Sequence, residues 1–187
     1  PKGRNYSSFE LRHASSGIQT TAPLIAMMNY YAQAFDFKLA QKRSIIDLLF
    51  EKNLTTQYRP EMELTDMPKY VHIHIEEPEL SLDPTSQIQM LNEIIRLAFY
   101  SKVDSREIGL VLATHSPYII NSLNLLMKAH DCKTDIDGAH VGYDDLSVYQ
   151  ILSGGVADLK VKNIHYVNTD RLSEDINNIY DKYQELK

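Results

Sequence analysis

The chain has 187 residues, 43% hydrophobic and 24% charged, with a formal net charge of −6. That balance fits one soluble globular domain, or one large part of one, and leaves no global electrostatic attraction to nucleic acid or anionic membrane, only room for a local basic patch. Cys132 is the single cysteine, which excludes an intrachain disulfide and makes a reducing cytosolic setting the default.

The chain opens at Pro1-Lys2-Gly3-Arg4, with no methionine and no obvious helix or strand start, and reads as something cut from a longer protein. Residues 9–13 suit a short strand or a loop. Ala14-Ser15-Ser16-Gly17-Ile18-Gln19 then leads into a helix bearing Leu24, Met27, Met28 and Tyr31 at helical spacing. Small residues at a helix start leave backbone N–H groups free for an anion, and an ordinary Ser N-cap accounts for the same letters. The apolar stretch 23–37 is broken by Asn29, Gln33 and Asp36 and is not a membrane span.

A second helix is expected over 38–53, from Leu39, Ile45, Ile46, Leu49 and Phe50. Segment 54–69, with Pro60 and Pro68, reads as a polar loop or insertion. In 70–84, Tyr-Val-His-Ile-His-Ile-Glu-Glu-Pro-Glu-Leu-Ser-Leu-Asp-Pro, the alternation of Val71, Ile73 and Ile75 predicts a buried strand that stops at two carboxylates and Pro78. Adjacent carboxylates repel, which points to a bound cation or a proton in transit. Asp83-Pro84 is a helix start with Asp as cap, and Ile88, Leu91, Ile94, Ile95 and Ala98 give that helix its apolar face.

The continuous apolar run 108–113 predicts a second buried parallel strand, ending at Thr114-His115-Ser116-Pro117 before a helix with Ile119, Ile120, Leu123 and Leu126. Strand, helix, strand, helix is the rhythm of an α/β parallel sheet with flanking helices, whose ligands bind at the carboxyl ends of strands. Both Glu76-Glu77 and His115 lie at such ends, so neighbouring strands would bring them face to face. Runs 146–152 and 156–161 around Ser153-Gly154-Gly155 suit a late β-hairpin. Ile176, Ile179, Tyr180, Tyr183 and Leu186 give a final amphipathic helix, most simply read as packing.

Taken in order, Ser-Ser-Gly-x-Gln, then strand-Glu-Glu-Pro-Glu-x-x-Leu-Asp-Pro, then strand-Thr-His-Ser-Pro resembles the carboxyl-terminal part of an ABC-type ATPase domain. The likeness is to the soluble branch related to overcoming-lysogenization-defect, RecF-like and SMC-like ATPases. It implies the carboxyl-terminal portion of a P-loop NTPase fold. By that resemblance residues 1–37 hold the signature motif and a helix, 38–69 a helix and loop insertion, 70–128 the Walker B, D-loop and switch-histidine core, and 129–187 a hairpin and terminal helix. Ser15, Ser16, Gly17 and Gln19 would then bind the nucleotide of an opposite subunit, and Asp83 would belong to the D-loop. Glu76 would orient magnesium, Glu77 would activate the attacking water and His115 would sense the γ-phosphate. The implied cofactors are ATP and Mg2+ in a head-to-tail homodimer, in the cytoplasm and away from membrane. DNA or a nuclease partner would belong to the intact system, which would act in DNA maintenance or phage defence.

Two departures stand beside the likeness. No Gly-x-x-x-x-Gly-Lys-Ser/Thr loop occurs anywhere in the chain, so this polypeptide alone is not expected to hydrolyse ATP. Ile18 occupies a place where related soluble ATPases often carry Glu. Leu152-Ser153-Gly154-Gly155 spells the transporter signature more closely than 14–19 does, but it follows the Glu-Glu strand instead of preceding it and reads as a turn. Two other readings remain at this point. One is a non-catalytic dimerisation or regulatory module with a vestigial site. The other is a zinc hydrolase built on His72 and His74, which share a strand face with Glu76.

Overall fold

A computed structural model describes residues 10–53, 69–161 and 163–186, the side chains of 171–176 excepted. The segment 54–68, expected as a loop or insertion, therefore lies outside the described residues, as do Arg4 and the side chain of Ile176. A 3-10 turn at Leu11–His13 precedes helix α1 (Ser16–Asn29), which ends in a π-helical turn at Tyr30–Ala34. Helix α2 (Phe37–Glu51) starts at Asp36, whose carboxylate accepts the Leu39 N–H at 2.9 Å. Strand β1 (Tyr70–Glu76), helix α3 (Pro84–Ile95), strand β2 (Glu107–Ala113) and helix α4 (Pro117–Asp131) follow. The remainder is β3 (Tyr149–Leu152), β4 (Gly155–Asp158), β5 (Lys160–Val161), β6 (Tyr166–Val167) and helix α5 (Asp170–Glu185).

Strands β1 and β2 pair in parallel, from Tyr70 opposite Glu107 to Glu76 opposite Ala113. Their two ends therefore lie side by side. One face of the pair, with Ile73, Ile75 and Ile108, is buried against a helical core formed by Met28 of α1, Leu91 and Ile94 of α3, and Ile119 and Leu126 of α4. The other face carries Tyr70, His72 and His74, all exposed.

The expectation of an α/β, mainly parallel P-loop-type sheet is corrected here. The described residues are mostly helical, at 53%, with three small, separate two-stranded sheets: β1–β2, β3–β4 and β5–β6. The physical reason lies in what each apolar run can pair with. Among the described strands, only 70–76 and 107–113 form a parallel ladder across a helical crossover. The later runs are two to four residues long and are paired antiparallel with their own neighbours across short connections, so they add nothing to the first sheet. In particular, β3 and β4 turn at Ser153 and Gly154, where Gly154 takes φ +117.

Along helix α5 and its C-cap, Ile179, Tyr180, Tyr183 and Leu186 are exposed, Leu186 at 88%. No helix of the described residues is long and apolar enough to cross a membrane.

Candidate functional site

The site is built where β1 and β2 end. Beyond Glu76 the ladder continues by one bond, from the Glu77 N–H to the Ala113 carbonyl at 2.8 Å. Glu77 then takes φ +46, a left-handed conformation that side chains other than Gly adopt at a cost. The chain folds into two successive turns, closed by Leu80 N–H to Glu77 O at 3.1 Å and Leu82 N–H to Glu79 O at 3.0 Å, with Ser81 at φ +64.

On the neighbouring strand, His115 follows Ala113 by two residues. Its Nε2 lies 3.8 Å from Glu77 Oε1, within ion-pair range and beyond a hydrogen bond. The two residues that the sequence marked as partners in chemistry do meet. Glu76 faces away, on the exposed sheet face with His72 and His74. His72 stacks on Tyr70 with ring centroids 5.0 Å apart and lies over Gly109 of the adjacent strand. Among the described residues no group of three or more His, Cys, Asp or Glu is placed to hold a metal ion.

The Ser15–Gln19 segment packs on the same turn, at Ser81 and Leu82. Ser15 is the α1 N-cap, although its hydroxyl lies a long 3.5 Å from the Ile18 N–H. The Gln19 amide donates back to Ala14 O at 2.8 Å and Arg12 O at 3.2 Å, and the Arg12 guanidinium pairs with Glu10. Gly17 is buried against the turn: a Cβ there would stand 2.9 Å from both Ser81 O and Leu82 Cδ2. The Thr20 hydroxyl reaches Leu80 O at 3.3 Å. Between α1 and α3 lies an open groove of about 420 Å³, bordered by Ser15, Gly17, Thr21, Ser81, Asp83 and Glu93.

Asp83 is occupied as a helix cap. Its Oδ1 accepts the Thr85 and Ser86 N–H groups at 3.0 and 3.2 Å, and its Oδ2 accepts the Ser86 hydroxyl at 2.5 Å. The Ser86 hydroxyl bond is the main cause holding the Asp83 carboxyl below its usual range. Two groups therefore form around the turn: Glu77 with His115, and Ser15 and Gly17 with Asp83. No hydrogen bond or ion pair among the described residues joins Ser15, Ser16 or Gln19 to Glu77 or His115.

Two side chains of the site carried no role in the sequence reading. Glu79 accepts the His115 N–H at 2.8 Å through Oε1. Gln87 donates to Leu82 O at 2.9 Å and accepts the Ser116 hydroxyl at 2.5 Å, tying the turn to the start of α4. Their bonds to His115 and Ser116 leave no local sequence signal, because those partners lie 36 and 29 residues away.

Comparison with protein-family models, with curated proteins and with solved structures found no match. The P-loop, ABC-type and Walker-motif descriptions that the resemblance implied are corrected: the domain is small and helix-rich, its sheets are fragmented, and its described residues form no metal-binding cluster.

Proposed function

We propose that the chain is the carboxyl-terminal part of an ATP-hydrolysing enzyme. The observation that carries the reading is the Glu77–His115 pair: a strained, half-exposed glutamate at a strand's carboxyl end, 3.8 Å from an exposed imidazole on the next strand. Phosphoryl transfer to water asks a protein mainly to position the water and to neutralise charge. Glu77 accepts the proton of the attacking water, and His115 donates to the terminal phosphate. Magnesium arriving with the nucleotide would supply charge neutralisation; Glu76, which faces away from Glu77 and His115, is not placed to hold it there.

Ser15, Ser16, Gly17 and Gln19 at the α1 N-terminus, with Asp83 across the groove, serve the nucleotide of a second subunit. In a head-to-tail homodimer each subunit would contribute one such group to each nucleotide. The setting is the cytoplasm, and hydrolysis serves DNA maintenance or phage defence, with DNA or a nuclease as partner.

The test is magnesium-dependent ATP hydrolysis by the intact protein, wild type against Glu77→Gln, with the 187-residue chain alone as control. Glu77→Gln is expected to lose about 10²–10⁴ in turnover while still binding ATP. Equal turnover in both would overturn the assignment. A second reading, a dimerisation or regulatory module with a vestigial site, is favoured by the exposed apolar pair Ile151 and Val156, 84% and 67% exposed on the β3–β4 hairpin. Silence in every sample together with self-association of the chain is what that reading expects.

A further inference from the structure

The turn after β1 and the loop after β2 are joined through one side chain. Glu79 Oε1 accepts the His115 N–H at 2.8 Å, a charge-assisted bond of the stronger kind. Its other oxygen, Oε2, is shut away from solvent, and no donor among the described residues reaches it. A carboxylate oxygen buried without a donor is costly, so solvation is not what this side chain is there for.

The rest of the loop is tied as well. Thr114 Oγ1 accepts the Ser116 N–H at 3.0 Å, and the Ser116 hydroxyl donates to Gln87 at 2.5 Å while capping α4. What remains free is the imidazole, 89% exposed, facing Glu77. Glu77 and Glu79 belong to one turn, closed by the bond from Leu80 N–H to Glu77 O at 3.1 Å.

We propose that Glu79 is a positioning residue: it pins the His115 backbone to the turn that carries Glu77, so that imidazole and carboxylate keep their spacing as one unit. The inference rests on reading Glu77 and His115 as the reacting pair. It concerns their geometry in the chain alone, so its test uses no nucleotide.

The readout is the NMR signature of His115 in the full 187-residue chain at fixed pH. Glu77→Gln removes the charge beside the ring and moves the imidazole resonances. That perturbation is then measured in wild type, in Glu79→Met and in Glu79→Gln. Both Glu79 variants lose the charge and keep much of the volume, but only Gln retains an oxygen acceptor for the His115 N–H. The perturbation is expected to fall by about half or more in Glu79→Met and to persist in Glu79→Gln, the pattern of a coupled pair whose coupling needs the acceptor. An undiminished perturbation in Glu79→Met overturns the proposal, and so does its loss in a folded Glu79→Gln.

Should Glu79→Met fail to fold, hydrogen exchange at the His115 amide of the wild type decides. Protection supports the bond to Glu79; exchange at the rate of free peptide overturns it. Absence of ATP hydrolysis in the intact protein would leave each of these results standing, so the two readings fail separately.

Discussion

At Glu77 the backbone holds a conformation its side chain does not favour. A left-handed φ costs a residue with a Cβ about 1–2 kcal/mol, and here the cost is sustained by the bond from its N–H to Ala113 O at 2.8 Å and by Pro78, which keeps its predecessor out of the right-handed helical region. Such outliers gather where a side chain must be aimed. Glu77→Gly should therefore raise stability by about 1 kcal/mol, read as a higher urea midpoint with unchanged slope, while removing the carboxylate that the proposed chemistry needs. An unchanged or lower midpoint would mean that the conformation stores no strain. The sequence marks this residue through its neighbours, since two carboxylates and a proline at a strand's end are a local signal. Glu79 was illegible for the opposite reason. Its partner is a backbone N–H 36 residues away, and a backbone group leaves no letter to read.

Local start signals explain which elements could be read and which could not. Asp83-Pro84 and Ser116-Pro117 place a capping side chain before a proline at the first helical turn, and both caps form, with bonds to the N–H groups of Thr85 and Ser86 and of Tyr118 and Ile119. The extent of the sheet is a different matter. An apolar run announces a strand, but the number of its partners depends on pairings distant in sequence, and among the described residues β1 and β2 find only each other. Packing between elements is likewise set by shape at single positions. Gly17 seats the first turn of α1 on the Ser81–Leu82 backbone, and a Cβ would meet Leu82 Cδ2 and Ser81 O, each at 2.9 Å. The leucine tip can yield, whereas the carbonyl belongs to a turn fixed by its own hydrogen bonds. Gly17→Ala is accordingly expected to destabilise the chain by about 1–3 kcal/mol in urea unfolding, the usual cost of overpacking. A loss below a few tenths of a kcal/mol would mean that α1 shifts freely over the turn.

Across the whole molecule, the described core is shared by α1, α3, α4 and one face of β1–β2, while α2, the β3–β4 hairpin and α5 keep large apolar side chains exposed. The periodicity of α2 and α5 was legible, but periodicity says only that a face is apolar, not that another element covers it. What ties the start of β2 to the α1 side of the core is Arg106, whose side chain is 3% exposed. It donates to Tyr31 O at 2.6 Å, Phe35 O at 3.3 Å and Val103 O at 3.0 Å, and its guanidinium stands 5.3 Å from the centre of the Phe37 ring. Its charge is met by Asp104, at 3.1 Å. That hydrogen bond to Arg106 is the main reason the Asp104 carboxyl is held well below its ordinary value of 3.8, with Lys69, also at 3.1 Å, as a further cause. A carboxyl whose folded value is depressed contributes stability that is present above its unfolded value and is lost as pH falls through the folded one. Asp104 is more than a third exposed, so solvent screening keeps the effect modest, and the shape of the pH dependence is the informative quantity. Urea midpoints of wild type and Asp104→Asn, followed from pH 7 down to about pH 3, should differ by a steady amount near neutral pH and begin to draw together only below the ordinary value of 3.8, where the unfolded chain takes up a proton that the folded carboxyl still refuses. A difference that stayed constant across that range would mean that Asp104 holds the loop by shape and hydrogen bonding alone, and that the charge of Arg106 is balanced elsewhere.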